Sequence, residues 1–253
     1  MKVAIITVAG ISSRFNEDIP EENKTLKSIY WEKDCKHSLL YHLLQKCSYA
    51  NFIVIVGGYK FDALQKYCNS LKNDLKKKIL LVHNDHFSDL GSGYSLYLGL
   101  NAAFDVGADE ILFVEGDLDI DKISFDKVVL ARGNILTYNY QPIYTKKAVV
   151  LYKDIKDNYH YAFNSEHGCL RIEDTFSCIL NSGQIWKFTE IQKLKRANQK
   201  FIKENKAGTN LNIIQNYLDD NNTRCELIGL KRWTNCNTRE DFKQIMTYWE
   251  EER

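Results

Sequence analysis

Apolar residues along this chain fall first into short unbroken runs. Residues 2–7 (KVAIIT), 52–56 (FIVIV), 79–82 (ILLV) and 111–114 (ILFV) have little or no polar alternation. Such runs predict strands buried on both faces, as in a parallel sheet. Between them lie helical stretches. A helix opens with Ser38 as N-cap; a second spans residues 61–75, with Phe61, Leu64, Cys68 and Leu71 on one face; a third spans residues 94–104. Strand and helix thus alternate four times, which predicts an α/β fold with a parallel sheet covered on both sides and right-handed crossovers.

From about Asn134 the pattern changes to short strands at residues 135–138, 148–152, 169–172 and 178–180. Residues 184–201 and 211–218 read as helices, and residues 224–228 as a late strand. Residues 238–241 (TRED) form a capping-box pattern opening a last helix through Trp249. A single domain over residues 1–253 is expected, with halves 1–133 and 134–253 sharing one mostly parallel mixed sheet flanked by helices.

Composition narrows the function classes. The 34 basic and 33 acidic residues give a net charge of +1, so no global field points to nucleic acid or to a membrane surface. The seven cysteines are odd in number and include no C-x-x-C pair, which favours reduced thiols over a disulfide framework. No leader pattern and no membrane-length apolar run are visible, so a cytoplasmic protein is expected.

Candidate chemistry gathers at the ends of the first strands. Val8, Ala9, Gly10, Ile11, Ser12 and Ser13 form a small-residue turn where backbone N–H groups can approach an anion, and Arg14 and Lys24 bring two cations to the same sheet edge. Neither G-x-x-x-x-G-K-[ST] nor G-x-G-x-x-G fits this loop. Past the fourth strand, Asp117 and Asp119 stand in the run EGDLDID, where carboxylates suit a hard cation such as Mg²⁺ beside substrate phosphates. Gly58 ends the second strand. Asn84 follows the third, and Ser92 and Ser95 open the next helix, whose free N–H groups suit base oxygens or phosphate. His83 and His86 read as a surface turn, because no further ligand at familiar spacing accompanies them.

These residues, in this order, resemble the nucleotidylyltransferase family and its phosphocholine-type cytidylyltransferases. VAGISSRF and NKTL stand where the family has A-A-G-x-G-S-R-[LF] and P-K-x-L, with Ser12 in place of a usual glycine and Asn23 in place of the proline. GYSLY after Asn84 is similar to the cytidylyltransferases' Tyr-Ser-Leu-Tyr run. NCNTREDF resembles the closing [DE]-x-[DN]-T-x-E-D-[LF] segment, with Asn235 and Asn237 on its acidic positions. The resemblance implies a Rossmann-like, GT-A-type fold with a nucleotide-binding half (1–133) and an acceptor-binding half (134–253). It also implies transfer of a nucleotidyl group from CTP to a small phosphorylated acceptor, with release of pyrophosphate. Arg14, Lys24 and Asp117 would be catalytic, and Mg²⁺ would sit on Asp117, Asn237 and Asn235. Val8 to Ser13, Gly58, Asn84, Ser92 and Ser95 would bind nucleotide. Asp119, Glu166, His167 and Arg171, with the turn at residues 182–186, are the residues expected to face the acceptor. Length and the Lys/Asn/Ile-rich, proline-poor chain are similar to cytidylyltransferases that act on phosphoglutamine in capsule modification, which makes phosphoglutamine the first acceptor to consider; a homodimer is compatible with the family. Other readings stay open at this point: phosphocholine or a sugar 1-phosphate as acceptor, a glycosyltransferase using Asp117 and Asp119 as a D-x-D pair, and a non-catalytic nucleotide-binding module.

Overall fold

The computed structural model of the chain describes residues 1–144, 149–163, 172, 174–220 and 223–251. Its centre is built from the four apolar runs: β1 (Lys2–Val8), β2 (Phe52–Gly57), β3 (Ile79–His83) and β4 (Glu110–Glu115). β1 lies between β2 and β4, parallel to both, with Ala4 opposite Ile53 and Leu112, and β3 extends the parallel sheet beyond β2. Alternate residues of β1 feed two cores. Ala4, Ile6 and Val8 pack with Leu40, Leu43 and Leu44 of α1 (Leu39–Lys46), and with Phe125 and Val128 of α5 (Lys122–Leu130). Val3 and Ile5 pack on the other face with Leu96 and Leu100 of α4 (Ser92–Asp105). Burial on both sides is why these strands read as unbroken apolar runs. Ser38 caps α1 as expected, its side chain accepting from the Tyr41 N–H at 3.3 Å.

Residues 61–75 are not one helix. The chain leaves α2 (Phe61–Ser70) at Leu71, which is extended (φ −69°, ψ 158°), and re-enters as the single turn α3 (Asn73–Lys76). The break lets both Leu71 and Leu75 bury against the sheet.

The second half joins the same sheet. β6 (Asn134–Asn139) and β4 both pair antiparallel with the long strand β9 (Phe176–Phe188), and β10 (Cys225–Leu230) runs parallel to β6, giving the order β10-β6-β9-β4-β1-β2-β3. β7 (Val149–Asp154) and β8 (Tyr159–Phe163) form a flap on β9. The expectation of a helix from residue 184 is therefore corrected: residues 184–188 are strand, and helix α6 (Ile191–Glu204) begins only at Ile191. The same finding removes residues 182–186 from the acceptor candidates, because Ser182, Ile185 and Trp186 are fully buried in mid-sheet. Periodicity misleads here because β9 carries Lys187, which looks like a solvated position. Its ammonium instead donates to the carbonyls of Val129 (2.9 Å) and Ala131 (2.8 Å) at the end of α5 and pairs with Glu110 at 3.1 Å.

α7 (Asn210–Leu218) packs beside α4 and α6. Two short segments form a separate antiparallel pair, β5 (Leu118–Ile120) with β11 (Trp233–Asn235), and the final helix α8 (Arg239–Glu251) closes over them. Thr238 and Asp241 make the reciprocal cap that the sequence pattern indicates, at 3.1 and 2.8 Å. The expected strand at residues 169–172 falls largely outside the described residues. Among the described residues, no helix is long and apolar enough to cross a membrane.

Candidate active site

A cleft of about 290 Å³ opens at the carboxyl edge of β1 and β4, where ligands of open α/β sheets bind. One wall is the turn after β1. Val8, Ala9, Gly10 and Ser12 line the cleft, whereas Ile11 and Ser13 line a neighbouring groove with Lys24 and Tyr59. The backbone conformation that favours glycine lies at Ser12 (φ +56°), the position where the resembling family carries glycine, and not at Gly10. Holding a residue with a Cβ there costs on the order of 1 kcal/mol. The serine side chain offsets part of this: Ser12 Oγ accepts the Lys27 backbone N–H at 3.3 Å.

That bond brings the Lys27 segment against the turn. Lys27 points into the cleft, its ammonium 2.8 Å from Asp117 Oδ2, with the two side chains 19% and 22% exposed. Lys24, the lysine singled out by sequence, instead pairs with Glu21 at 2.7 Å in the neighbouring groove. Arg14 is also outside the lining of this cleft; its Nη2 donates to Asn237 Oδ1 at 2.8 Å.

Asp117 follows the tight turn at Gly116, where a Cβ would stand 2.3 Å from Val8 Cγ1 and 2.7 Å from the Thr7 carbonyl oxygen. Only glycine lets the β4 exit pass this close to β1. The β5–β11 pair holds the other candidate oxygens nearby: Asn235 pairs with Leu118, and the Cys236 N–H donates to the Asp117 carbonyl at 2.8 Å. Asp117 Oδ1 and Asn235 Oδ1 are buried and lack hydrogen-bond partners. Two hard oxygens in that condition fit a divalent cation such as Mg²⁺. No group of three or more His, Cys, Asp or Glu gathers around a common point among the described residues, so the donor set is poor in charge.

The opposite wall is α4 and the residues before it. Asn84 is almost fully buried; its Nδ2 donates to Ser95 Oγ at 2.9 Å and its Oδ1 accepts the His86 N–H at 2.9 Å. Asn84, Ser92 and Ser95 all line the cleft with Phe87 and Leu90. Gly58 does not: it faces an adjoining groove and packs where a Cβ would meet Phe87 at 2.4 Å. His86 pairs with Asp89 in a surface turn, as expected.

Lys27, Asn210 and Glu115 line the cleft although sequence reading assigns them no role there. Lys27 lies three positions after the motif lysine, and only its fold neighbour Asp117 marks it. Asn210, at the start of α7, exchanges hydrogen bonds with Ser92 (3.2 and 3.3 Å) and donates to Glu115 Oε1 at 2.6 Å, tying the second half to the cleft. Its only signal was the cap of α7, where Asn212 Oδ1 accepts the Thr209 N–H. Glu115, the last residue of β4, has its carboxyl pushed up to about 7, first by burial and then by the charge of Asp117, against the opposing Asn210 bond and Lys27.

Asp119 is a correction. It was expected to face the acceptor, but it is 1% exposed and points away from the cleft lining into a charged cluster. It pairs with Arg232 and with Lys46 (3.5 Å) and accepts the Trp249 Nε1–H at 2.9 Å. Asp119 therefore braces β5, β11 and α8. Glu166, His167 and Arg171 lie outside the described residues.

The fold matches solved nucleotidylyltransferase structures along its whole length. The inositol-1-phosphate CTP transferase of T. maritima superposes with a TM-score of 0.69 at 15% identity, over 98% of this chain and 95% of that one. The CTP:phosphocholine cytidylyltransferase LicC of Streptococcus pneumoniae gives 0.61 at 15% identity, over 98% and 99%. A UDP-glucose pyrophosphorylase complexed with UDP-glucose gives 0.69 at 12% identity, over the whole of both chains. No curated protein matches by sequence. The family model that matches, over residues 23–249, is described as a domain of unknown function, DUF6564, and the chain belongs to that family.

Proposed function

We propose that this chain is a nucleotidyltransferase that joins CMP from CTP to a small phosphorylated acceptor and releases pyrophosphate. The observation that carries the reading is the convergence, in one cleft at the carboxyl edge of the sheet, of the 8–12 turn, Lys27, Asp117 and the Asn84–Ser95 pair. Asn84 and the run GYSLY, which resemble the cytidylyltransferase pattern, support cytosine as the base. Phosphoglutamine, giving CDP-glutamine for capsule modification, is the first acceptor to test, with phosphocholine and sugar 1-phosphates as alternatives.

In this reading an acceptor phosphate oxygen attacks the α-phosphorus, the bond to the bridging oxygen breaks, and pyrophosphate leaves with the electron pair. The acceptor is already an anion, so the protein needs no nucleophile and contributes positioning and charge. Backbone N–H groups of the turn and the Lys27 ammonium face the triphosphate, and Asn84, Ser92 and Ser95 lie on the base side. Arg14, bonded to Asn237, and Lys24, paired with Glu21 in the neighbouring groove, would leave these partners to meet the triphosphate. Asp117 and Asn235, with Asn237, would hold Mg²⁺, which supplies charge neutralisation on the α-phosphate when bound.

The test is pyrophosphate release with Mg²⁺ and each of CTP, UTP, ATP, GTP and dTTP against phosphoglutamine, phosphocholine, inositol 1-phosphate and glucose 1-phosphate. Release with CTP and one acceptor, lost in Asp117→Asn, is the expected result. Nucleotide binding without release across the panel would favour the non-catalytic module, a reading that the Lys27–Asp117 pair and the neutral Asn235 and Asn237 would then explain.

A further inference from the structure

The Lys27–Asp117 pair bears on how a cation reaches this site. Asp117 offers two oxygens: Oδ1 is buried without a partner, and Oδ2 is held by the Lys27 ammonium at 2.8 Å. The other oxygens at hand are amides, and one of them, Asn237 Oδ1, is already bound to Arg14. A divalent ion arriving at Asp117 therefore meets one carboxylate whose charge is largely neutralised by the ammonium beside it. Two cations sharing one carboxylate in a recess repel each other strongly, because little solvent stands between them to screen the charge.

Lys27 is built to leave. Its backbone is anchored, the N–H bonded to Ser12 Oγ, but its ammonium rides on a four-carbon stem, ion-paired to Asp117 with the buried Glu115 as a weaker charged neighbour. The same cleft wall carries Gly10 and Ser12, and in front of Gly10 lies open space within 4 Å of where a Cβ would stand. A polyphosphate seated on that turn places several anionic oxygens within the swing of the stem, and it would outbid a single carboxylate for the ammonium.

We propose that Lys27 is the resident counter-ion of Asp117, and that a divalent cation reaches this carboxylate only when a polyphosphate draws the ammonium away. Binding is then ordered: the phosphate chain first, the metal second. The inference rests on reading the cleft as a polyphosphate site, but it does not require that the reaction proposed above takes place.

The experiment measures two affinities in the full chain and in Lys27→Met, with Lys27→Gln as a second neutral variant. The first is Mn²⁺ alone, without nucleotide, followed by electron paramagnetic resonance of the free ion. The second is inorganic tripolyphosphate in EDTA, followed by calorimetry. Lys27→Met and Lys27→Gln should bind Mn²⁺ at least ten-fold more tightly than the unaltered chain, and adding Asp117→Asn to Lys27→Met should abolish that gain. The same two variants should bind tripolyphosphate about ten-fold more weakly. The opposite signs matter, because a purely structural role for the pair would weaken both. Equal Mn²⁺ affinity in variant and unaltered chain overturns the proposal, and so does tripolyphosphate binding that does not depend on Lys27. If both affinities move as expected yet no pyrophosphate is released with any nucleotide, the proposed reaction fails and the ion exchange stands.

Discussion

Behind the cleft, His42 of α1 stacks flat on Trp249 of α8, with ring centroids 3.7 Å apart and an interplanar angle of 6°. Burial and the neighbouring Lys46 disfavour its imidazolium, and the opposing pull of Asp119 is weaker, so its pKa is pushed down from 6.5 to about 4. In the folded chain His42 thus stays neutral from about pH 6.5, where the unfolded chain begins to protonate it, down towards about pH 4. A depressed pKa of this kind leaves stability intact above about pH 6.5 and removes it as pH falls towards 4. Linkage at about 1.4 kcal/mol per unit gives a loss of about 2 kcal/mol between pH 7 and pH 5, approaching 3 kcal/mol near pH 4. That loss falls on the support of β5 and β11, because Trp249 also donates to Asp119. His42→Gln removes the titration while keeping a polar side chain of similar reach. Urea unfolding of both proteins at pH 7.5 and pH 5.0 isolates the effect: the unaltered chain should lose about 2 kcal/mol more than the variant on acidification. Loss of the stacking contact only offsets the two curves. Parallel pH profiles would refute the assignment of His42 as a buried neutral group.

Substitutions at three further positions test the supports of the cleft. Asp119→Asn leaves Arg232 and Lys46 beside a neutral amide in a buried cluster and should cost about 3 kcal/mol in urea unfolding, with nucleotide binding weakened through displacement of the β5–β11 pair. A cost under about 1 kcal/mol would mean that the cluster is solvated. Ser12→Gly relieves the left-handed backbone but loses the bond to Lys27, so stability should stay within about 1 kcal/mol of the unaltered chain. Ser12→Val should destabilise by more, because a β-branched residue at φ +56° is strained. Asn210→Ala removes the side-chain bonds to Ser92 and Glu115, leaving only the backbone N–H bond to Ser92 Oγ, and should raise the Kd for CTP in equilibrium titration several-fold; an unchanged Kd would remove the Asn210 side chain from the site.

The parallel core was legible because its strands are buried on both faces, and burial alone writes an apolar run. Ser38 and Thr238 were legible as caps because a cap is a local hydrogen bond, set by residues three apart. What sequence could not show was decided by distant partners. Lys187 looks like a surface residue until the end of α5 supplies its acceptors, which hid the length of β9. Asp119 and Asp117 are indistinguishable in the run EGDLDID. Alternation alone would put two residues this far apart on one face; Asp117 instead stands in the turn before β5 and meets Lys27 in the cleft, whereas Asp119 lies within β5 and enters the cluster under α8. Lys24 matched a motif, yet Lys27 is the lysine that lines the cleft, because the turn at residues 27–29 carries its side chain towards Asp117. Asn210 joins the site across more than a hundred residues, and no local pattern could announce that contact.

The central claim is that this cleft transfers a nucleotidyl group. Incubation with CTP labelled at the α-phosphate, Mg²⁺ and phosphoglutamine, phosphocholine, inositol 1-phosphate or glucose 1-phosphate tests it directly. The account predicts that label passes into a diphosphate-linked product with one of these acceptors, in step with pyrophosphate release, and that Asp117→Asn removes the transfer while the variant still unfolds cooperatively. Retention of all label in CTP with every acceptor, or undiminished transfer by Asp117→Asn, would contradict it.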